Sequence, residues 1–91
     1  MKLLSHLLKY QPDEPLTGPL RLVTQWCFPV RGKHHDGEPK ATKPDTDNMQ
    51  KALKDCMTKA GFWKDDAQVT SEIVEKFYAN IPGIYIQVSE L

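Results

Sequence analysis

Hydrophobic positions change their period several times along the chain, and each change marks an element. Leu3, Leu4, Leu7 and Leu8 fall on one face of a short amphipathic helix. The segment QPDEPLTGP, rich in Pro and Gly, predicts a loop. The period then becomes two: Leu20, Leu22, Thr24, Trp26 and Phe28 alternate onto one face of a strand that Pro29 ends. Met49, Ala52, Leu53, Cys56, Met57 and Ala60 next form the single apolar stripe of a helix. Asp47, Lys51, Lys54, Asp55 and Thr58 make its polar face. Pro44 disfavours helix before it, Asp45, Thr46 or Asp47 can cap the start, and Gly61 is placed to stop the end. Strand periodicity returns from about Val69 to Tyr78. ANIPG turns the chain, and Ile84, Ile86 and Val88 share a face of a last strand. The predicted order is α-β-α-β-β. That is an α+β domain of two layers, a helix packed on one face of a small mixed sheet.

Composition narrows this picture. At 91 residues the chain is long enough for one small domain, spanning 1–91, with a marginal core. Two cysteines, Cys27 and Cys56, stand alone in apolar patterns, and Cys56 falls on the helix stripe. Buried thiols outside any disulfide, in a reducing compartment, are expected. The apolar run of MKLLSHLLKYQ is broken by Ser5 and His6, too short for a signal peptide or a membrane span. A cytoplasmic protein without a membrane segment follows as the expectation. Twelve basic and twelve acidic residues cancel, so bulk charge makes no argument for nucleic acid. One segment departs from that balance. VRGKHHDGEPKATKP, residues 30–44, carries Arg31, Lys33, Lys40 and Lys43 against Asp36 and Glu38. It reads either as a contact for a phosphate backbone or as a solvated mobile loop. His34 and His35 lack the spacing of a zinc site.

The candidate chemistry is acidic. Asp45 and Asp47 stand before the second helix, and Asp65 and Asp66 stand just past it. Hydrolysis of a phosphodiester calls for hard cations such as Mg²⁺, held by carboxylate oxygens that converge. A helix N-terminus favours such anions. Lys51, one turn beyond Asp47, can neutralise a carboxylate, hold a phosphate or stabilise a leaving oxygen. Each piece also has an ordinary explanation: Asp is a common N-cap, DD is common turn chemistry, and Asp47–Lys51 is an ordinary i, i+4 pair. Spacing alone does not bring Asp66 to the other two, because the chain must fold back to do so. Phe62 and Trp63 are expected in the core, where their packing would fix the direction of Asp65 and Asp66.

The whole run KPDTDNMQKALKDCMTKAGFWKDDAQV, residues 43–69, resembles the signature of the RusA family of Holliday junction resolvases, which are common in prophages. The resemblance rests on Asp45, Asp47, Asn48, Lys51, Asp55, Phe62, Trp63, Asp65, Asp66, Gln68 and Val69, and extends over about residues 16–91. It implies a homodimeric, Mg²⁺-dependent endodeoxyribonuclease that nicks four-way DNA junctions symmetrically in recombination and repair. Asp45, Asp47 and Asp66 would be the metal-binding catalytic carboxylates and Lys51 the essential basic residue. Asn48, Asp55 and Asp65 would be supporting. Family members usually begin with an extra strand and a Pro-rich segment. This sequence is expected to lack that strand, which makes an inactive junction-binding module the alternative.

Overall fold

The computed structural model describes residues 2–91. Its elements are α1 (Lys2–Leu8), β1 (Leu20–Pro29), α2 (Thr46–Lys59), a 3-10 turn η1 (Asp66–Gln68), β2 (Val69–Ala79) and β3 (Gly83–Glu90). The α-β-α-β-β order and the small mixed sheet agree with the sequence reading. The sheet order is β2-β1-β3. β1 runs parallel to β2 and antiparallel to β3. Asn80, Ile81 and Pro82 therefore cross over the end of β1 instead of closing a hairpin, since β3 pairs on the far side of β1 from β2.

Only one face of the sheet is covered. Leu20, Leu22 and Thr24 of β1 are fully buried; the two leucines cluster with Leu53, Cys56 and Met57 of α2, and Thr24 Oγ1 donates to Gln50 Oε1 of the same helix. Full burial of each Leu stabilises by about 1.5–3 kcal/mol. Leu3, Leu4 and Leu7 of α1 add to this core, whereas Leu8 is 46% exposed. At about 100° per residue the four leucines spread over about 140° of the helix surface, so one edge of the stripe stays outside. The opposite face of the sheet carries cross-strand polar pairs: Arg21 Nε donates to Ser71 Oγ, and Gln25 Nε2 donates to Glu75 Oε1. Ile73, on that same face, is 48% exposed.

The end of α2 is a Schellman stop. Gly61 adopts φ +84°, a conformation that costs L side chains but not glycine. The Phe62 N–H donates to the Met57 carbonyl and the Gly61 N–H to the Thr58 carbonyl. Phe62 and Trp63 then enter the core, 8% and 1% exposed, as expected from the sequence. Trp63 Nε1 donates to Thr58 Oγ1 at 2.7 Å, so the indole needs no water. These contacts reverse the chain and send residues 65–68 back beside the helix.

The helix stripe is rotated from the expected one. Ala52 is exposed, and the polar Gln50 is 4% exposed. Gln50 stands three and seven residues before Leu53 and Met57, which places it on the buried face. Cys56 is buried and Cys27 half-buried, neither in a disulfide. No helix among the described residues is long and apolar enough to cross a membrane.

Candidate active site

Beside the N-terminal half of α2 lies an open concavity of about 320 Å³. Asp47, Gln50, Lys51 and Lys54 line it from the helix, Asp66 from η1, and Glu72 and Val74 from β2. The fold thus brings Asp47, Lys51 and Asp66 to one place. They come from segments on either side of the Schellman stop. The stretch between them is short, and the chain reversal at Phe62 and Trp63 closes the distance.

The two aspartate pairs are used differently. Asp65 is the N-cap of η1: its Oδ1 accepts from the Ala67 N–H at 2.8 Å. Gln68 completes a capping box, its Oε1 accepting from the Lys64 and Asp65 N–H groups. The Gln68 Nε2 donates to the carbonyls of Leu16 and Gly18, tying this turn to the loop before β1. Asp65 is therefore structural, and Asp66 is left facing the concavity. At the other end, Asp45 is the N-cap residue of α2 in extended conformation, but its side chain makes no capping bond. The sequence reading of Asp45 as a candidate cap holds for position and fails for chemistry. Asp45 does not line the concavity, whereas Asp47 does.

The remaining sequence candidates fall outside it. Asn48 is exposed at the head of α2, and its side chain has no hydrogen bond to a described residue. Asp55 lines a separate shallow hollow with Thr58, Lys59, Lys64 and Asp65, on the other flank of Asp66. Arg31, Lys33, Lys40 and Lys43 do not line the concavity either. Part of this loop is tied to the sheet. Gly37 N–H donates to the Tyr78 carbonyl, Tyr78 N–H to the Glu38 carbonyl, and Lys40 N–H to the Lys76 carbonyl, so residues 37–40 run along the open edge of β2. Asn80 N–H donates to Asp36 Oδ1. His34 stacks on Tyr78 with ring centroids 4.1 Å apart. Lys40 Nζ lies over the Phe28 and Tyr78 rings and donates to Thr42 Oγ1. The hydrogen bond from His34 holds the Glu38 carboxyl below the ordinary carboxylate range, and His35 adds to the effect.

Several residues of the site escaped the sequence reading. Lys76 Nζ donates to the carbonyls of Thr42 and Pro44, at 2.7 and 2.8 Å, and so fixes the chain just before Asp45. Glu72 pairs with Lys54 at 3.2 Å inside the concavity. Lys54 was visible on the polar face. Glu72 carried no signal, because strand register alone decides that it faces α2. Gln50 carried one: a polar residue at core spacing.

The donor set suits a hard cation. Mg²⁺ keeps several waters and is bound through one or two carboxylates plus substrate phosphate, not by an all-protein cage. Asp47 and Asp66 supply two carboxylates on one concavity. Among the described residues no group of three or more His, Cys, Asp or Glu side chains is already gathered to hold a metal.

The model of the endodeoxyribonuclease RusA family matches residues 2–89. A crossover junction endodeoxyribonuclease of Lactococcus phage r1t is 30% identical over 89 residues, covering 96% of this chain and 68% of that protein. The crossover junction endodeoxyribonuclease of Escherichia coli K12 is 48% identical over 50 residues, 55% of this chain and 42% of that protein. An uncharacterised protein of Bacillus subtilis is 28% identical over 94 residues, covering 91% of this chain and 66% of that protein. The chain thus spans about two thirds of the longer matches and less than half of the Escherichia coli protein. With the family's model matching nearly the whole chain, this protein belongs to the RusA family of endodeoxyribonucleases.

Proposed function

We propose that this chain is a Mg²⁺-dependent, structure-selective endodeoxyribonuclease that resolves four-way DNA junctions by symmetric nicking. The observation that carries the reading is the meeting of Asp47, Lys51 and Asp66 in one open concavity. Asp47 and Asp66 would hold Mg²⁺, with Asp45 at the head of α2 as a third carboxylate. The bound ion supplies an activated water and neutralises charge on the phosphate. Lys51 presents an ammonium to the leaving 3′ oxygen. The pinned carbonyls of Thr42 and Pro44 keep the entry to α2, and so Asp45 and Asp47, in register with β2. Arg31, Lys33 and Lys43 are free to meet phosphate backbone, and Lys40 joins them from its aromatic perch. A homodimer, one cut per subunit, matches the approximate two-fold symmetry of a four-way junction. A DNA substrate of this kind puts the enzyme in the cytoplasm.

The test is cleavage of a labelled four-way junction with Mg²⁺ by the wild type and by Asp66→Asn. Cutting by the wild type alone supports the enzyme. Binding without cutting by either protein points to a junction-binding module without activity. No binding at low salt removes the DNA reading altogether.

A further inference from the structure

One group in the concavity is unexplained by its neighbours. Gln50 is 4% exposed and lines the site, and its Nε2 is buried without a hydrogen-bond partner. The orientation of this amide is decided by chemistry. Trp26 Nε1 can only donate, and it lies 3.2 Å from Gln50 Oε1. Thr24 Oγ1, fully buried, also donates to Oε1, at 3.1 Å. Exchanging the oxygen and nitrogen of the amide would set two donors against each other at Trp26. The carbonyl end is therefore locked onto β1, and the two N–H bonds point away from it. A buried donor without an acceptor is costly and uncommon in a folded protein. In a concavity open to substrate, a bound ligand can supply the missing acceptor.

The neighbours say what kind. Gln50, Lys51 and Lys54 present donors from adjacent positions of one helix, and Asp47 and Asp66 face them. A cation has no use for an amide N–H. An anionic oxygen does, and the helix N-terminal half favours it. We propose that Gln50 is a substrate-binding residue of this site, its Nε2 donating to a non-bridging phosphate oxygen of the bound strand. This rests on the nuclease reading given above and adds to it a neutral donor beneath the phosphate. Lys51 supplies charge there. Gln50 supplies direction, because Trp26, which can only donate, allows its amide one orientation.

Gln50→Glu isolates the donor. The variant keeps an acceptor for Trp26 and Thr24 and replaces N–H with a carboxylate oxygen that repels phosphate. Four-way junction binding is measured with Ca²⁺ replacing Mg²⁺, beside the wild type and Asp66→Asn. The expected result is a lowered thermal midpoint, from burying an unpaired carboxyl, in a protein still folded at the assay temperature, with binding weakened by about tenfold or more. Equal affinity of Gln50→Glu and wild type overturns the assignment and leaves the nuclease reading standing. A wild type that neither binds nor cuts junctions removes the nuclease reading instead. The assignment is then decided by the ¹⁵N–¹H signals of the Gln50 side-chain amide in wild-type protein, titrated with inorganic phosphate in the presence of Mg²⁺. A saturable shift supports phosphate contact. Signals that stay in place overturn it. The same titration decides the matter if Gln50→Glu does not fold.

Discussion

The two ends of α2 each carry a pair of aspartates, and among the described residues only Asp65 of the four has its side chain in a hydrogen bond. At the far end, Asp65 caps η1 and Gln68 answers it, so the turn is held by side chains. At the near end, Asp45 sits in the cap position without making the bond. There the backbone is held from outside, by Lys76 reaching the Thr42 and Pro44 carbonyls. The difference teaches what distinguishes an acidic residue kept for folding from one kept for chemistry. A carboxylate with its oxygens filled by backbone N–H groups has little left for a cation. Asp47 and Asp66 have none of those bonds and share a concavity.

The sharpest test of that distinction uses neighbours in sequence. Asp66→Asn is expected to reduce junction cleavage by roughly 100-fold or more with little change in thermal midpoint. Asp65→Ala is expected to retain cleavage chemistry and to lose about 1 kcal/mol of stability, read by urea unfolding. The comparison breaks if Asp65→Ala abolishes cleavage in a protein of unchanged stability. At the near end, Asp47→Asn should lose cleavage on the scale of Asp66→Asn. Asp45→Ala should leave stability nearly unchanged, since no capping bond is lost, and a clear drop in unfolding midpoint would contradict the bare N-cap. Lys76→Met removes the external hold on the entry to α2. It should slow cleavage by about tenfold through misplaced carboxylates, while Phe28 and Tyr78 keep their packing. A variant cutting at the wild-type rate would show that the loop positions nothing.

The smallest effect is in pH. The His34 hydrogen bond lowers the Glu38 carboxyl in the folded protein. A depressed folded value means that the contribution is complete above the ordinary carboxylate range. It is lost as pH falls through the lower, folded value. The His34–Tyr78 stack, followed by NOEs between the two rings, should release as pH falls through that lower window. In Glu38→Gln the release window should disappear. The carboxyl keeps contact with solvent at the surface, so global stability should hardly follow.

Local pattern determined much of this molecule. The period-two runs placed β1, β2 and β3, and Gly61 with Phe62 and Trp63 marked the stop and the core anchors. The ordered run from Asp45 through Asn48, Lys51, Phe62, Trp63 and Asp66 to Val69 was enough to resemble a family that the comparisons then showed. These features are legible because helix and strand periods, glycine conformation and motif order are properties of neighbours along the chain. Tertiary structure alone decided which carboxylates are free. Asp65 and Asp66 are adjacent and chemically identical, yet the capping box takes the first and exposes the second. Only the pairing of β2 beside β1 brings Glu72 onto the site and Lys76 under the loop. Gln50 lies between the two cases. Its spacing placed it on the buried face, but its free N–H exists only because Trp26 and Thr24, more than twenty residues earlier, hold the other end of the amide. The physical reason is range: hydrogen bonds across the sheet and between layers are fixed when the elements dock, and no local pattern records them.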